Sequence, residues 1–312
     1  MREHLGLTTE PQGTSEIFSP GAAFITDEDV WILIDGDATR SLGATLAWAS
    51  HHDLPIQLLV EHDSGLVARR AQFFAPLVTV WHIEEKLLLP AIPGPHLPHV
   101  DPSPAHVALM TLIASSGADA LAEHGVVVGE VRGLEMCRVV DDIVSGEARL
   151  EVGMGVNDRE AFAMVHGEMP TEQALRTVID AVAVHREPGA MVHPFNQFGA
   201  ERLHRWRALV DPSIIGFSEL APADPPVKRT NLKDAVPCVA VGVTTDGKDA
   251  VAVFVNGVDL EVVPFALDAA SMHGKNHVVV VARERDIIPS LRRIAEQANR
   301  TVSFAIIEGS QI

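Results

Sequence analysis

Three glutamates stand out in the segment EHGVVVGEVRGLEMCRVVDDIVSGEARLEVGMG, which begins at Glu123. Glu135 and Glu151 sit in successive apolar stretches, and Glu123 lies just before the first. Carboxylates brought together from neighbouring elements suit Mg²⁺, a hard, oxygen-seeking ion that activates water for attack on a phosphate ester. Glu135 and Glu151 are therefore the candidate metal ligands, and Glu123 completes the candidate catalytic set. Further along, ERLHRWR groups Arg202, Arg205 and Arg207 around Trp206. Guanidinium groups beside an aromatic face are the chemistry of nucleic-acid contact, and the competing reading is a solvated helix face with Trp206 in the core.

Other constellations point to simpler explanations. Gly153-x-Gly155 followed by Asp158 has the letters of a phosphate loop, but a third glycine and a preceding parallel strand are missing, and Asn157 explains the site as a helix cap. Asp35-Gly36-Asp37 and Asn256-Gly257-Val258-Asp259 fall where a strand hands over to a helix, the edge at which open parallel sheets take ligands. Turn formation accounts for both glycines, and the aspartates there repel an anion unless a metal intervenes. Of 15 histidines, His51-His52, His96 and His99 in HLPH, and His193 are grouped most closely, and none has the spacing of a tetrahedral site. Cys137 and Cys238 are far apart and read as reduced thiols.

The elements that would carry the glutamates run helix (about 104–122), three strands (125–131, 133–140 and 147–153), then helices near 158–166, 171–186 and 197–208. Tight connections at Arg132-Gly133 and Ser145-Gly146 favour an antiparallel meander. This order of a helix bearing Glu123, then strands bearing Glu135 and Glu151, resembles the PD-(D/E)xK nuclease superfamily over residues 104–186. The resemblance implies that Glu135 and Glu151 hold Mg²⁺ against a scissile phosphate. The lysine of the family motif falls on Gly153 here. What it implies is therefore a nucleic-acid-linked protein whose nuclease-like core is degenerate and inactive.

The two ends of the chain resemble each other. Gly36 aligns with Gly257, Ala49 with Ala270 and Val60 with Val281, all at an offset of 221. Arg69-Arg70 then falls on Arg292-Arg293 and Ile83-Glu84 on Ile307-Glu308 after small insertions. Short apolar runs at 30–34, 56–60 and 78–83, and at 251–255, 277–281 and 301–307, alternate with helical patterns, as in parallel sheets covered on both faces. A further strand at 237–243 joins through Asp246-Gly247 as an antiparallel edge. Proline-rich stretches at 87–104 and 210–237 read as extended connectors.

The expected fold is α/β: two Rossmann-like βαβαβ repeats flanking a central α+β domain with a three-stranded antiparallel meander. The expected divisions are 1–90, 91–209 with a helical extension, a linker at 210–235, and 236–312. A net charge of −18, from 42 acidic and 24 basic residues, disfavours broad nucleic-acid binding outside a focused basic patch. No apolar run spans a bilayer and the start lacks the layout of an export signal, so a cytoplasmic protein is expected. The alternative function is a non-enzymatic assembly or small-molecule-binding module built on the duplicated sheets, with a protein partner or a second copy as the possible company.

Overall fold

The computed structural model describes residues 12–75, 77–155, 158–161, 170–187, 190–191, 193–229 and 236–308. It is a mixed α/β structure with three sheets. No helix among the described residues is long and apolar enough to cross a membrane.

The first sheet has six strands in chain order: β1 (Thr14–Phe18), β2 (Gly21–Ile25), β3 (Val30–Ile34), β4 (Ile56–Val60), β5 (Val78–Glu84) and β6 (Leu87–Pro90). β3, β4 and β5 are parallel, with Val30 opposite Ile56 and Ile56 opposite Val78, and the other pairings are antiparallel. Helices α1 (Leu42–Ala49) and α2 (Ser64–Ala71) make the crossovers. Val30, Ile32 and Ile34 point to the side that buries them, while Leu33 on the opposite side is 42% exposed.

The last sheet has five strands, also in chain order. β11 (Phe217–Ala223) and β12 (Cys238–Thr244) are antiparallel, followed by the parallel set β13 (Asp249–Phe254), β14 (His277–Ala282) and β15 (Thr301–Ile306). The crossovers here are α6 (Val262–Met272) and α7 (Pro289–Glu296). β13 and β14 are buried on both faces, which explains their unbroken valine and alanine runs.

The two sheets share one hydrophobic core, to which Leu42, Leu46, Val67, Val263, Leu267, Leu291 and Ile294 all belong. α1 packs on α7 and α2 on α6. If α1 is matched to α6 and α2 to α7, this is the reciprocal contact of a two-fold arrangement. A backbone bridge between Phe74 and Ala298 has the same property. The Ala75 N–H donates to Gln297 O at 2.9 Å, and the Asn299 N–H donates to Phe73 O at 2.8 Å. Gly43 permits the closest approach of the two halves, since a Cβ there would lie 2.0 Å from Leu260 O.

Between them in the sequence comes a four-stranded antiparallel sheet, ordered β10-β9-β8-β7. Its strands are β7 (Asp119–Glu123), β8 (Val126–Val131), β9 (Leu134–Asp141) and β10 (Ala148–Val152), and its covering helices are α3 (Pro104–Ser115) and α4 (Thr171–Ala183). Ile113, Leu134, Met136, Leu175 and Val182 form its separate core. Helix α5 (Ala200–Val210) then runs to the last sheet, where Ala208 joins Phe217, Ala240 and Phe254 in a third cluster. Gly133, at φ +81°, lets the β8–β9 turn touch α5, because a Cβ there would lie 2.4 Å from the Arg202 backbone.

Several expectations are corrected. The helix expected to reach residue 122 ends at Ser115, and Glu123 is on a strand that pairs antiparallel with β8. The stretch 210–235, expected as a linker, contains the edge strand β11, so the strand at 238–244 lies inside its sheet. β1 and β2 had no counterpart in the sequence reading, and β6 occupies the start of the expected connector at 87–104. The proposed cap Asn157 and most of the expected helix at 158–166 lie outside the described residues.

Candidate functional site

Strands β7, β8 and β9 bring Glu123, Glu130 and Glu135 under α5, whose Arg202 and Arg205 point back at them. Arg202 donates to Glu123 at 2.7 and 2.9 Å and to Glu130 at 2.5 Å. Arg205 lies 3.4 Å from Glu123 and 3.5 Å from Glu130. Burial works to raise the Glu130 carboxyl, but Arg202 and Arg205 hold it below its ordinary value, and Glu123 behaves in the same way. Glu135 accepts a two-pronged contact from Arg138, at 2.9 and 3.0 Å, and a further bond from Arg229 at 3.1 Å. The Arg159 guanidinium stands between the two expected metal ligands, 3.6 Å from Glu135 and 3.3 Å from Glu151, and Arg149 takes the other Glu151 oxygen at 2.8 Å.

The structure thus places Glu123, Glu135 and Glu151, the expected Mg²⁺ set, each against arginine side chains. Their oxygens already accept from guanidinium groups, and no cluster of three or more metal-binding side chains occurs among the described residues. The residues of the expected nucleic-acid patch are placed differently from one another. Arg202 and Arg205 are 4% and 2% exposed and neutralise glutamates, so they do not face solvent. Trp206 carries the Arg132 guanidinium 5.5 Å over its ring, and Arg207 donates to the Glu308 carbonyl. Burial pushes both the Cys137 and Cys238 thiols up to about 12, which makes them poor nucleophiles. His96 lies 3.4 Å from Asp268, and His99 sits between Asp101 at 3.1 Å and Asp224 at 3.4 Å.

A different site forms at the carboxyl ends of the parallel strands, where both outer sheets contribute. The loop after β3 supplies Asp37 and Arg40, the loop after β4 supplies Asp63, and the loop after β13 supplies Asp259. Together with Lys228 they line a cavity of about 590 Å³ whose apolar walls include Leu66, Val227 and Phe265. Asp37 accepts from the Thr39 N–H at 3.0 Å, while Arg40 remains half-exposed, 3.9 Å from Asp259.

Buried charges fix the geometry beneath the cavity. Glu261 accepts from the Gly43 N–H at 2.8 Å, so a carboxylate from one half occupies the amino end of α1 in the other. Its second oxygen accepts from Arg70 at 2.8 Å. Burial pushes the Glu261 carboxyl up to about 7 against the opposing pull of Arg70 and the Gly43 N–H. Asp268, with no exposed surface, accepts from Arg69 at 2.7 and 3.0 Å and from Arg70 at 3.3 Å. Arg69 also donates to the carbonyls of Gly94 and Pro95 at 3.0 and 2.6 Å.

The sequence signalled Asp37 and Asp259 through their place after an apolar run, without showing that they share one cavity. It gave no sign of Asp63, Lys228, Glu261 or Asp268. The only available hint was Arg69-Arg70 on an otherwise apolar helix. Compared with known protein families, curated proteins and solved structures, the chain matches none.

Proposed function

We propose that the protein is a small-molecule-binding module whose ligand is a hydroxyl-bearing, ring-containing molecule of the nucleoside class. The outer sheets are read as duplicates of one Rossmann-like βαβαβ unit, and the central sheet as an antiparallel meander that closes the cleft. The single observation carrying this reading is the 590 Å³ cavity at the carboxyl ends of both parallel sets. That volume suits a ligand of nucleoside size, and the strand ends are where open α/β sheets take ligands. Asp37, Asp63 and Asp259 offer acceptors for hydroxyl or amino donors, and Leu66, Val227 and Phe265 offer an apolar wall for a ring. The three aspartates outnumber Arg40 and Lys228, the cations of the lining that Glu261 does not pair, so the ligand proposed is the unphosphorylated molecule.

The amino end of α1, where a phosphate would otherwise rest, already holds the Glu261 carboxylate, which points the same way. A thermal-shift panel of the four common ribonucleosides, simple polyols, and labelled DNA and RNA with Mg²⁺ tests the reading. Stabilisation by at least one nucleoside, with no nucleic-acid retention or cleavage, is expected. Stabilisation by nucleic acid alone would overturn it.

A further inference from the structure

A second cavity, of about 140 Å³, lies under the central sheet, and Lys228 lines both it and the larger one. It is well below the roughly 300 Å³ of a drug-sized pocket, which suits a compact ion better than a ring. Four cationic side chains, Arg138, Arg202, Lys228 and Arg229, line it against two carboxylates, Glu123 and Glu135.

Both carboxylates are already occupied. Glu135 accepts from Arg138 and Arg229, and Glu123 accepts from Arg202 and Arg205. What remains unused is donor capacity. Arg229 Nη1 and Arg202 Nε are buried without an acceptor, although their side chains are only 7% and 5% exposed. His124, whose side chain is 5% exposed, also lines the cavity, and neither of its ring nitrogens has a hydrogen-bond partner. Buried donors left unpaired are costly, and these belong to residues that line one small space with an excess of positive charge, although Asp224 stands 4.0 Å from His124 Nδ1. Burial lowers the pKa of Arg229 and the neighbouring Arg202 lowers it further, as expected where cations crowd.

We propose that this cavity binds a phosphate-class oxyanion, either free or as the phosphomonoester end of a larger molecule. A tetrahedral oxyanion presents acceptors in several directions at once, which suits a small cavity lined by Arg138, Arg202, Arg229, Lys228 and His124. The site stands apart from the nucleoside reading, because inorganic phosphate alone is its probe.

The test is a thermal shift and calorimetric titration of the full chain with sodium phosphate, against sodium chloride at matched ionic strength. Phosphate should raise the melting temperature by about 2 °C or more once it is well above its Kd, and chloride should not. Arg229→Gln should abolish the phosphate-dependent rise whatever its effect on the unliganded protein. Lys228→Gln, at an exposed position, should weaken phosphate about 3- to 10-fold and decides the matter if the arginine variant does not fold. Equal affinity for phosphate and ethyl phosphate, an ester with no nucleoside part, identifies the free anion, and tighter binding of ethyl phosphate identifies the ester. No phosphate-specific rise would overturn the proposal, as would an undiminished response in Arg229→Gln or, where that variant does not fold, in Lys228→Gln. Adenosine alone reports on the larger cavity, so the two readings fail separately.

Discussion

Asp268→Asn removes one negative charge from the buried network that joins the two outer sheets. Asp268 has no exposed surface and is the only carboxylate bonded to Arg69 among the described residues. The variant leaves Arg69 with no carboxylate, only the Gly94 and Pro95 carbonyls and the asparagine oxygen, while Arg70 keeps Glu261. Breaking a buried ion pair from one side costs about 3–5 kcal/mol, because the remaining charge stays desolvated. Asparagine still offers one acceptor oxygen, so the lower end applies. A loss of about 3 kcal/mol is a shift of about two orders of magnitude in the unfolding equilibrium. Urea denaturation followed by circular dichroism reads it as a lower midpoint at unchanged slope. The double variant Arg69→Met/Asp268→Leu should recover at least half of the loss, since apolar replacement removes the stranded charge with its partner. A single-variant loss under about 1 kcal/mol would refute the claim that this network joins the halves.

Gly43→Ala places a methyl 2.0 Å from Leu260 O, which forces α1 away from the Glu261 carboxylate, and urea titration should show a loss of about 2 kcal/mol. His204, buried and lowered to about 4 first by desolvation and then by Arg207 and Arg283, stays neutral in the fold while the unfolded chain protonates near 6.5. Its contribution is full above pH 6.5 and is lost as pH falls toward 4, on the order of 3 kcal/mol, so His204→Phe should flatten the stability–pH curve across that window. Millimolar Mg²⁺ or Mn²⁺ should leave the melting temperature unchanged, because the oxygens of Glu123, Glu135 and Glu151 are held by arginines. A rise that disappears in Glu135→Gln would contradict this.

How far the sequence could be read depended on whether local pattern or distant partners decided the outcome. β13 and β14 coincide with apolar runs because strands buried between two layers need continuous hydrophobicity, whereas β4 and β5 alternate buried and half-buried positions. β7 falls in a stretch whose sequence favours helix, since Asp-Ala-Leu-Ala-Glu contains good helix formers, and pairing with β8 overrides that preference. β11 was read as a linker because of Pro222, which an edge strand tolerates. Charged positions were the least legible. Arg69-Arg70 and Arg292-Arg293 align in sequence, yet the first pair is buried and the second is exposed. The acids that make burial affordable, Glu261 and Asp268, align at the offset of 221 with Arg40 and Ala47. The pairing of Arg202 and Arg205 is hidden in the same way, since Glu123 and Glu130 lie more than seventy residues away in sequence.

The most direct test of the binding account is calorimetric titration of the full chain with adenosine, guanosine, cytidine and uridine in turn. At least one should bind with one-to-one stoichiometry. Asp37→Asn and Asp259→Asn, one from each outer sheet, should each weaken it about tenfold, the worth of one hydrogen bond to a charged group. Absence of binding by all four nucleosides would contradict the account, and so would undiminished affinity in both variants.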